Sequence, residues 1–261
     1  MTKLTVKDLF ACKGKRQLTE VYVRTAKEAS ACDLAGIDMI ITSERSNGAE
    51  FRAAAPNTFF TIGLVYGDYT SESEVLRGGF KALRNGADAV YCGSSLKFVE
   101  ALANEGIPVV GHVGFVPYKS TWFGGFKAVG KSAVDALKVY QKTVDYQNAG
   151  AIGVEIEIVP YKVATEISKR VEILLIGMGS GTGCDAQYLF STDILGDNEG
   201  HIPRHAKVYR DFKSEYQRLH QESIAAFREF KQDVDSGTYP AANQLIEIKD
   251  EEFEKFMQGI S

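Results

Sequence analysis

Three short segments of this 261-residue chain hold the residue types that chemistry needs. Gly111-His112-Val113-Gly114 ends one apolar run in a histidine, Val154-Glu155-Ile156-Glu157 ends another in two glutamates, and Gly177-Met178-Gly179-Ser180-Gly181 ends a third in a glycine-rich turn. A histidine and a carboxylate can move a proton, and free N–H groups in a glycine turn can cradle a carboxylate or phosphate. Glu155 and Glu157 lie two residues apart, so on a strand they share a face, and an inward carboxylate needs a partner to offset its desolvation. Each segment also has a plainer reading. His112 reads equally as core support, Glu157 as a rim carboxylate in an ion pair, and Gly177 to Gly183 as a tight turn. Tyr91 ends a further apolar run, as core filler or as a hydroxyl donor, and Cys92 after it reads as an inert thiol. The glycine turn lacks both the G-x-G-x-x-G order and a downstream acid, which argues against a dinucleotide.

These residues depend on the elements that position them. Apolar runs recur at Gln17 to Val23, Asp38 to Thr42, Thr58 to Val65, Asp88 to Cys92, Pro108 to Val113, Ala151 to Val159 and Glu172 to Met178, with an eighth expected at Gln187 to Phe190. Amphipathic stretches lie between them at Ser71 to Arg84, Leu96 to Asn104, Ser132 to Asn148 and Tyr161 to Arg170. Regular alternation of strand and helix predicts a parallel sheet. Eight strands fit an α/β fold closed as a (β/α)8 TIM barrel, with an open doubly wound sheet as the alternative, and a barrel places its chemistry at the C-terminal ends of the strands. The expectation is one barrel domain over residues 1–261 with a C-terminal helical extension from about Ala206. That extension begins with a long polar helix, Ala206 to Asp233, covering the barrel or a neighbouring subunit, and ends in a charged helix around Asp250 to Lys255.

Composition narrows the function. The net charge is -4 and basic residues alternate with acidic ones, so nucleic acid is not an expected partner. Cys12, Cys32, Cys92 and Cys184 form no C-x-x-C pair, which argues against a disulfide framework and against structural zinc. No segment reaches the roughly 18 apolar residues of a membrane span, and the first residues lack a signal-peptide core. A cytoplasmic protein is expected.

Further motifs give these segments a context: Gly124-Gly125-Phe126-Lys127-Ala128-Val129-Gly130-Lys131, Glu157-Ile158-Val159-Pro160, Ile176-Gly177-Met178-Gly179-Ser180-Gly181, Cys184-Asp185-Ala186-Gln187 and Gly200-His201-Ile202-Pro203-Arg204. In these, and in their order from Val6 to Phe212, the chain resembles the ketopantoate (3-methyl-2-oxobutanoate) hydroxymethyltransferase family of the phosphoenolpyruvate mutase and isocitrate lyase superfamily. The resemblance implies magnesium-dependent aldol chemistry on a 2-oxo acid, with methylene tetrahydrofolate as one-carbon donor, in a homo-oligomer of decamer size. It puts Glu157 at the position of the base that removes a proton from C3, and His112 at the barrel histidine beside the oxo acid.

The departures from that pattern cluster at the family's metal. Its Asp-Ser pair after the second strand becomes Glu44-Arg45, a metal aspartate after the third becomes Gly63, and the lysine and glutamate of the fourth become Tyr91 and Gly93. Two substitutes follow as expectations. Glu155 with Glu44 rebuilds a cation site, or Arg45 supplies positive charge directly, since a guanidinium can bind a carboxylate and stabilise an enolate oxyanion. Gly179, Ser180 and Gly181 would cradle the substrate's anion, with Tyr91 beside it. The segment Tyr118 to Gly125 reads as a glycine-hinged lid plugged by Trp122, or as an oligomer contact. A carbon–carbon lyase on another small carboxylate, and a non-catalytic ligand-binding or assembly barrel, are the alternative functions.

Overall fold

The computed structural model describes residues 3–260. Eight parallel strands close on themselves: β1 Leu18–Tyr22, β2 Met39–Ser43, β3 Phe59–Gly63, β4 Ala89–Tyr91, β5 Val109–Gly114, β6 Gly153–Glu157, β7 Leu174–Met178 and β8 Ala186–Phe190. Each pairs with the next, and β8 pairs with β1 from Leu18 opposite Ala186 to Tyr22 opposite Phe190. The eighth run read in the sequence is therefore the strand that closes a (β/α)8 barrel, and the open sheet does not form.

Alternation along the strands divides the core in two. Leu18, Met39, Ile41, Phe59, Val110 and Ile176 fill the barrel interior. Ile40, Phe60, Val90, Val154 and Leu175 face the helices. Both faces of β6 and β7 are buried throughout, as parallel strands under a helical layer require. The helix Ala133–Asn148 that leads into β6 stops at Gly150, whose φ of +85° turns the chain back at no Cβ cost.

A buried carboxylate ties β7 to its surroundings. Asp185 Oδ2 accepts from Leu175 N–H at 2.8 Å, from Lys13 Nζ at 2.7 Å and from Ser168 Oγ at 3.2 Å. Asp185→Ala leaves the lysine and the N–H unpaired, at a cost of about 3–5 kcal/mol. Thermal melts should show a fall in Tm of roughly 10 °C.

Contacts divide the described chain after Arg210. The second unit contains the helices Phe212–Ser236 and Asp250–Ile260. The long helix starts six residues later than the periodicity suggests, because the Asp211 side chain accepts from Ser214 N–H and caps it, and it ends where Gly237 turns left-handed. Its apolar residues Tyr216, Leu219, Phe227 and Phe230 are exposed. Among the described residues no helix is long and apolar enough to cross a membrane. All four cysteines are free, and burial pushes the thiols of Cys32 and Cys184 up to about 11 and about 12.

Candidate active site

β4, β5 and β6 end side by side at the barrel mouth. Register places His112 opposite Glu155 and Gly114 opposite Glu157, so one imidazole on β5 meets both glutamates of β6. His112 Nε2 lies 3.2 Å from Glu157 Oε2 and 3.0 Å from the Phe115 carbonyl. Two acceptors on that side require Nε2 to carry a proton. Nδ1 lies 2.7 Å from the Tyr91 hydroxyl, which then donates to it in the neutral imidazole, and 3.5 Å from Glu155 Oε2. Sequence spacing thus anticipates four groups that the fold brings together: Tyr91, His112, Glu155 and Glu157.

Burial raises the pKa of two of these four groups, Glu155 and Tyr91. The Glu155 carboxyl is pushed well above the usual carboxylate range, first by desolvation and then by Glu20 and Glu157. Glu20, on β1, is 3% exposed, its Oε2 has no hydrogen-bond partner, and burial pushes its pKa up to about 8. The sequence reading missed Glu20. Its signal was the alternation Leu18-Glu20-Tyr22, which puts a carboxylate on the inward face of β1. Burial, and then the nearness of the Glu155 carboxyl, also raise the Tyr91 phenol, so it stays a donor.

Backbone geometry holds the glutamates in place. A Cβ at Gly114, where φ is +84°, would lie 2.3 Å from the Glu157 carbonyl, so only glycine lets β5 approach β6 this closely. Ile158, directly after Glu157, has φ of +50°, a strained conformation for a β-branched residue. Its N–H donates to the Met178 carbonyl at 2.8 Å.

The mouth encloses about 320 Å³ and is ringed by Tyr22, Tyr66, Tyr91, Tyr118, Tyr188 and Phe190, with no lysine or arginine in its lining. Tyr118 stacks on Tyr66 at 3.6 Å, and its buried hydroxyl has no partner.

The ketopantoate hydroxymethyltransferase family model matches residues 47–242. The chain belongs to this family. Family members similar to it include 3-methyl-2-oxobutanoate hydroxymethyltransferase 1 of Methylibium petroleiphilum, 34% identical over 79% of this chain and 69% of that protein. The enzyme of the same name from Nitrosopumilus maritimus is 28% identical over 95% of each chain. Among solved structures, 2,3-dimethylmalate lyase, a PEP mutase/isocitrate lyase superfamily member, shares the fold with a TM-score of 0.55 at 13% identity, over 99% of this chain and 100% of that one. Phosphonopyruvate hydrolase, in a complex with oxalate and Mg++, shares it with a TM-score of 0.50 at 12% identity, over 100% of this chain and 98% of that one.

The positions at which the chain departs from the family have structural partners of their own. Glu44 accepts from Val65 N–H at 2.5 Å and from the Tyr69 hydroxyl, so both of its oxygens serve the loop after β3. It does not meet Glu155. Arg45 reaches Asp68 through two contacts of 3.1 and 3.2 Å on an exposed surface and does not line the mouth. Tyr91 and Gly93 complement each other: a Cβ at Gly93 would sit 2.6 Å from the Tyr91 hydroxyl and 3.2 Å from that of Tyr118. A phenol therefore occupies the space that a side chain at 93 would need.

This donor set does not fit a resident magnesium ion. Gly63 and Gly93 offer no ligand, Glu44 is used elsewhere, and an imidazole separates Glu155 from Glu157. Among the described residues no three His, Cys, Asp or Glu side chains converge as a ligand set. In the glycine turn the Ser180 side chain is engaged by the backbone. Ser180 is fully buried, donates to the Ile156 carbonyl at 2.8 Å and accepts from Val159 N–H at 3.1 Å. A Cβ at Gly179 would meet His205 at 2.9 Å, and one at Gly181 would meet Tyr161 at 2.4 Å.

Proposed function

We propose that the chain is a hydroxymethyltransferase that forms the enolate of a small 2-oxo acid and joins it to a one-carbon unit, as its relatives named 3-methyl-2-oxobutanoate hydroxymethyltransferase do. The observation that carries this reading is the imidazole of His112 held between Glu157 and Tyr91 at the mouth of the barrel. The Glu157 carboxylate takes the proton from C3 as that C–H bond breaks, and its electron pair moves toward the carbonyl oxygen. The Tyr118 hydroxyl, which has no other partner, and the uncharged Glu155 acid offer neutral donors to that oxygen, while Tyr91 donates to His112, an arrangement that stabilises an oxyanion in a site closed to water. For the one-carbon unit family resemblance names methylene tetrahydrofolate as donor. Water takes up the methylene as formaldehyde while its two bonds to the donor's nitrogens break and each nitrogen receives a proton. The enolate carbon then bonds to that carbon as its C=O π bond opens, and the new alkoxide takes the proton held by Glu157. His112 keeps Glu157 in position.

No step is assigned to a metal. Magnesium accompanies oxalate in phosphonopyruvate hydrolase, whose likeness to this chain is one of fold. The same reading makes the protein a cytoplasmic homo-oligomer, a decamer by family resemblance, built from one barrel domain with helices beyond it. It works on a small 2-oxo acid and on neither nucleic acid nor membrane.

The test is deuterium exchange at C3 of 3-methyl-2-oxobutanoate in D₂O, followed by proton NMR with magnesium and with EDTA. Exchange should persist in EDTA at more than about half the magnesium rate, since neutral donors carry the oxyanion. Exchange that stops in EDTA would remove the neutral-donor mechanism. Absence of exchange with every 2-oxo acid would remove the enolising function and favour a carbon–carbon lyase on another carboxylate.

A further inference from the structure

A second cavity, of about 500 Å³, shares the His112 wall with the barrel mouth and has the opposite charge. Five lysines line it, Lys119, Lys127, Lys131, Lys138 and Lys142, against a single acid, Asp135. The chain as a whole carries a net charge of -4, so this concentration of cations runs against its composition. One wall is the helix Ala133–Asn148, where Asp135, Lys138 and Lys142 stand three and four residues apart on one face. The other wall is the segment after β5, carrying Lys119, Lys127 and Lys131.

Among the described residues only one of the five ammonium groups has an ion-pair partner: Lys138 Nζ lies 3.5 Å from Asp135 Oδ1. Lys119 and Lys142 each pack over a tyrosine ring, at 5.6 Å from the Tyr118 centroid and 5.4 Å from that of Tyr146. Burial and then the like charge of Lys142 lower the Lys119 ammonium, as expected where cations are crowded without an anion between them. Trp122, the only tryptophan of the chain and 88% exposed, edges the same cleft.

We propose that this cleft binds an oligoanionic ligand, a molecule carrying two or more phosphates or carboxylates, with its charges on the five lysines and its body against Trp122 and the rear of His112. The cationic surface that the mouth lacks is therefore supplied next door. Unpaired lysines on two facing walls form a preorganised positive field that raises local anion concentration. A single small anion would engage one wall; a chain of charges engages both. That such a ligand serves the transfer reaction rests on the proposed function, whereas its binding does not.

Trp122 makes the test independent of catalysis. The full-length protein is titrated with tripolyphosphate, and separately with a tri-glutamate peptide, while tryptophan fluorescence is recorded. The expected result is a saturable change with at least one of them, weakened about tenfold between low and high salt and about tenfold in Lys131→Gln/Lys138→Gln, whose exposed positions leave Tm unchanged. Response to tripolyphosphate alone identifies phosphates as the ligand groups, and response to the peptide alone identifies carboxylates. No saturable change with either, or equal affinity in the double variant, would overturn the proposal. Saturable binding by a protein that exchanges no 2-oxo acid would overturn the proposed reaction and leave the cleft standing.

Discussion

Glu157→Gln should lower C3 deuterium exchange by about 10²–10⁴-fold, the range for losing a positioned general base, while leaving the fold intact. Glutamine has the same length, and its carbonyl oxygen can still accept from His112 Nε2–H at the 3.2 Å that Glu157 Oε2 now occupies. What it cannot do is receive the substrate proton. The sharper comparison is with Glu155→Gln. Burial and its acidic neighbours already hold Glu155 uncharged, so an amide, which is neutral and still donates, replaces it closely. Glu155→Gln should therefore cost well under the effect of Glu157→Gln, by about tenfold or more in rate. Equal losses in the two variants, with melts unchanged, would mean that the two glutamates share the proton and that no single base can be named.

The site was readable where chemistry sits on strand ends, and unreadable where it depends on what a loop side chain meets. Period-two patterning fixes which face a strand residue takes, so Glu155 and Glu157 come out together, with His112 opposite them in register. Glu44 and Arg45 lie just past β2, where no period constrains direction, and their partners Tyr69 and Asp68 come from more than twenty residues further along. Spacing alone does not show that the loop after β3 captures both. Glu20 was hidden by its surroundings, a lone acid inside an apolar run that reads as an ordinary strand. The five cleft lysines are scattered from 119 to 142 and share a helical period only at 138 and 142, so their convergence exists in three dimensions alone. The barrel strands needed none of this, because each is a buried run bounded by helical pattern; that they close rather than form an open sheet is decided by the pairing of β8 with β1. The start of the long helix was misread for a local reason: the cap at Asp211 overrides the apolar period that extends back to Ala206.

Glu20→Gln should make the protein more stable at pH 8 than its parent and no more stable at pH 4. The sign follows from where the proton sits. Below the ordinary value of 4.5 folded and unfolded chains both keep the Glu20 proton, so the group contributes no pH dependence. Between 4.5 and about 8 the unfolded chain has lost the proton and the folded one retains it, so unfolding free energy falls by about 1.4 kcal/mol per pH unit. Above about 8 the folded chain must hold a carboxylate whose Oε2 has no partner, and the slope from this group ends. Glutamine removes that slope. Glu20→Met, which needs no hydrogen bond, should remove it as well and guard against an unsatisfied amide. Urea midpoints at pH 4, 6 and 8 read the effect directly. A residual slope of the same sign is expected from Glu155, which burial raises in the same direction. Parallel midpoint curves for parent and variants would mean that Glu20 is solvated in the folded chain and its pKa is ordinary. The expected result means that the barrel keeps, on β1, an acid that weakens it across the neutral range. Such a cost is characteristic of a residue retained for its site: by keeping its own proton up to about 8, Glu20 limits the negative charge beside Glu155 and His112.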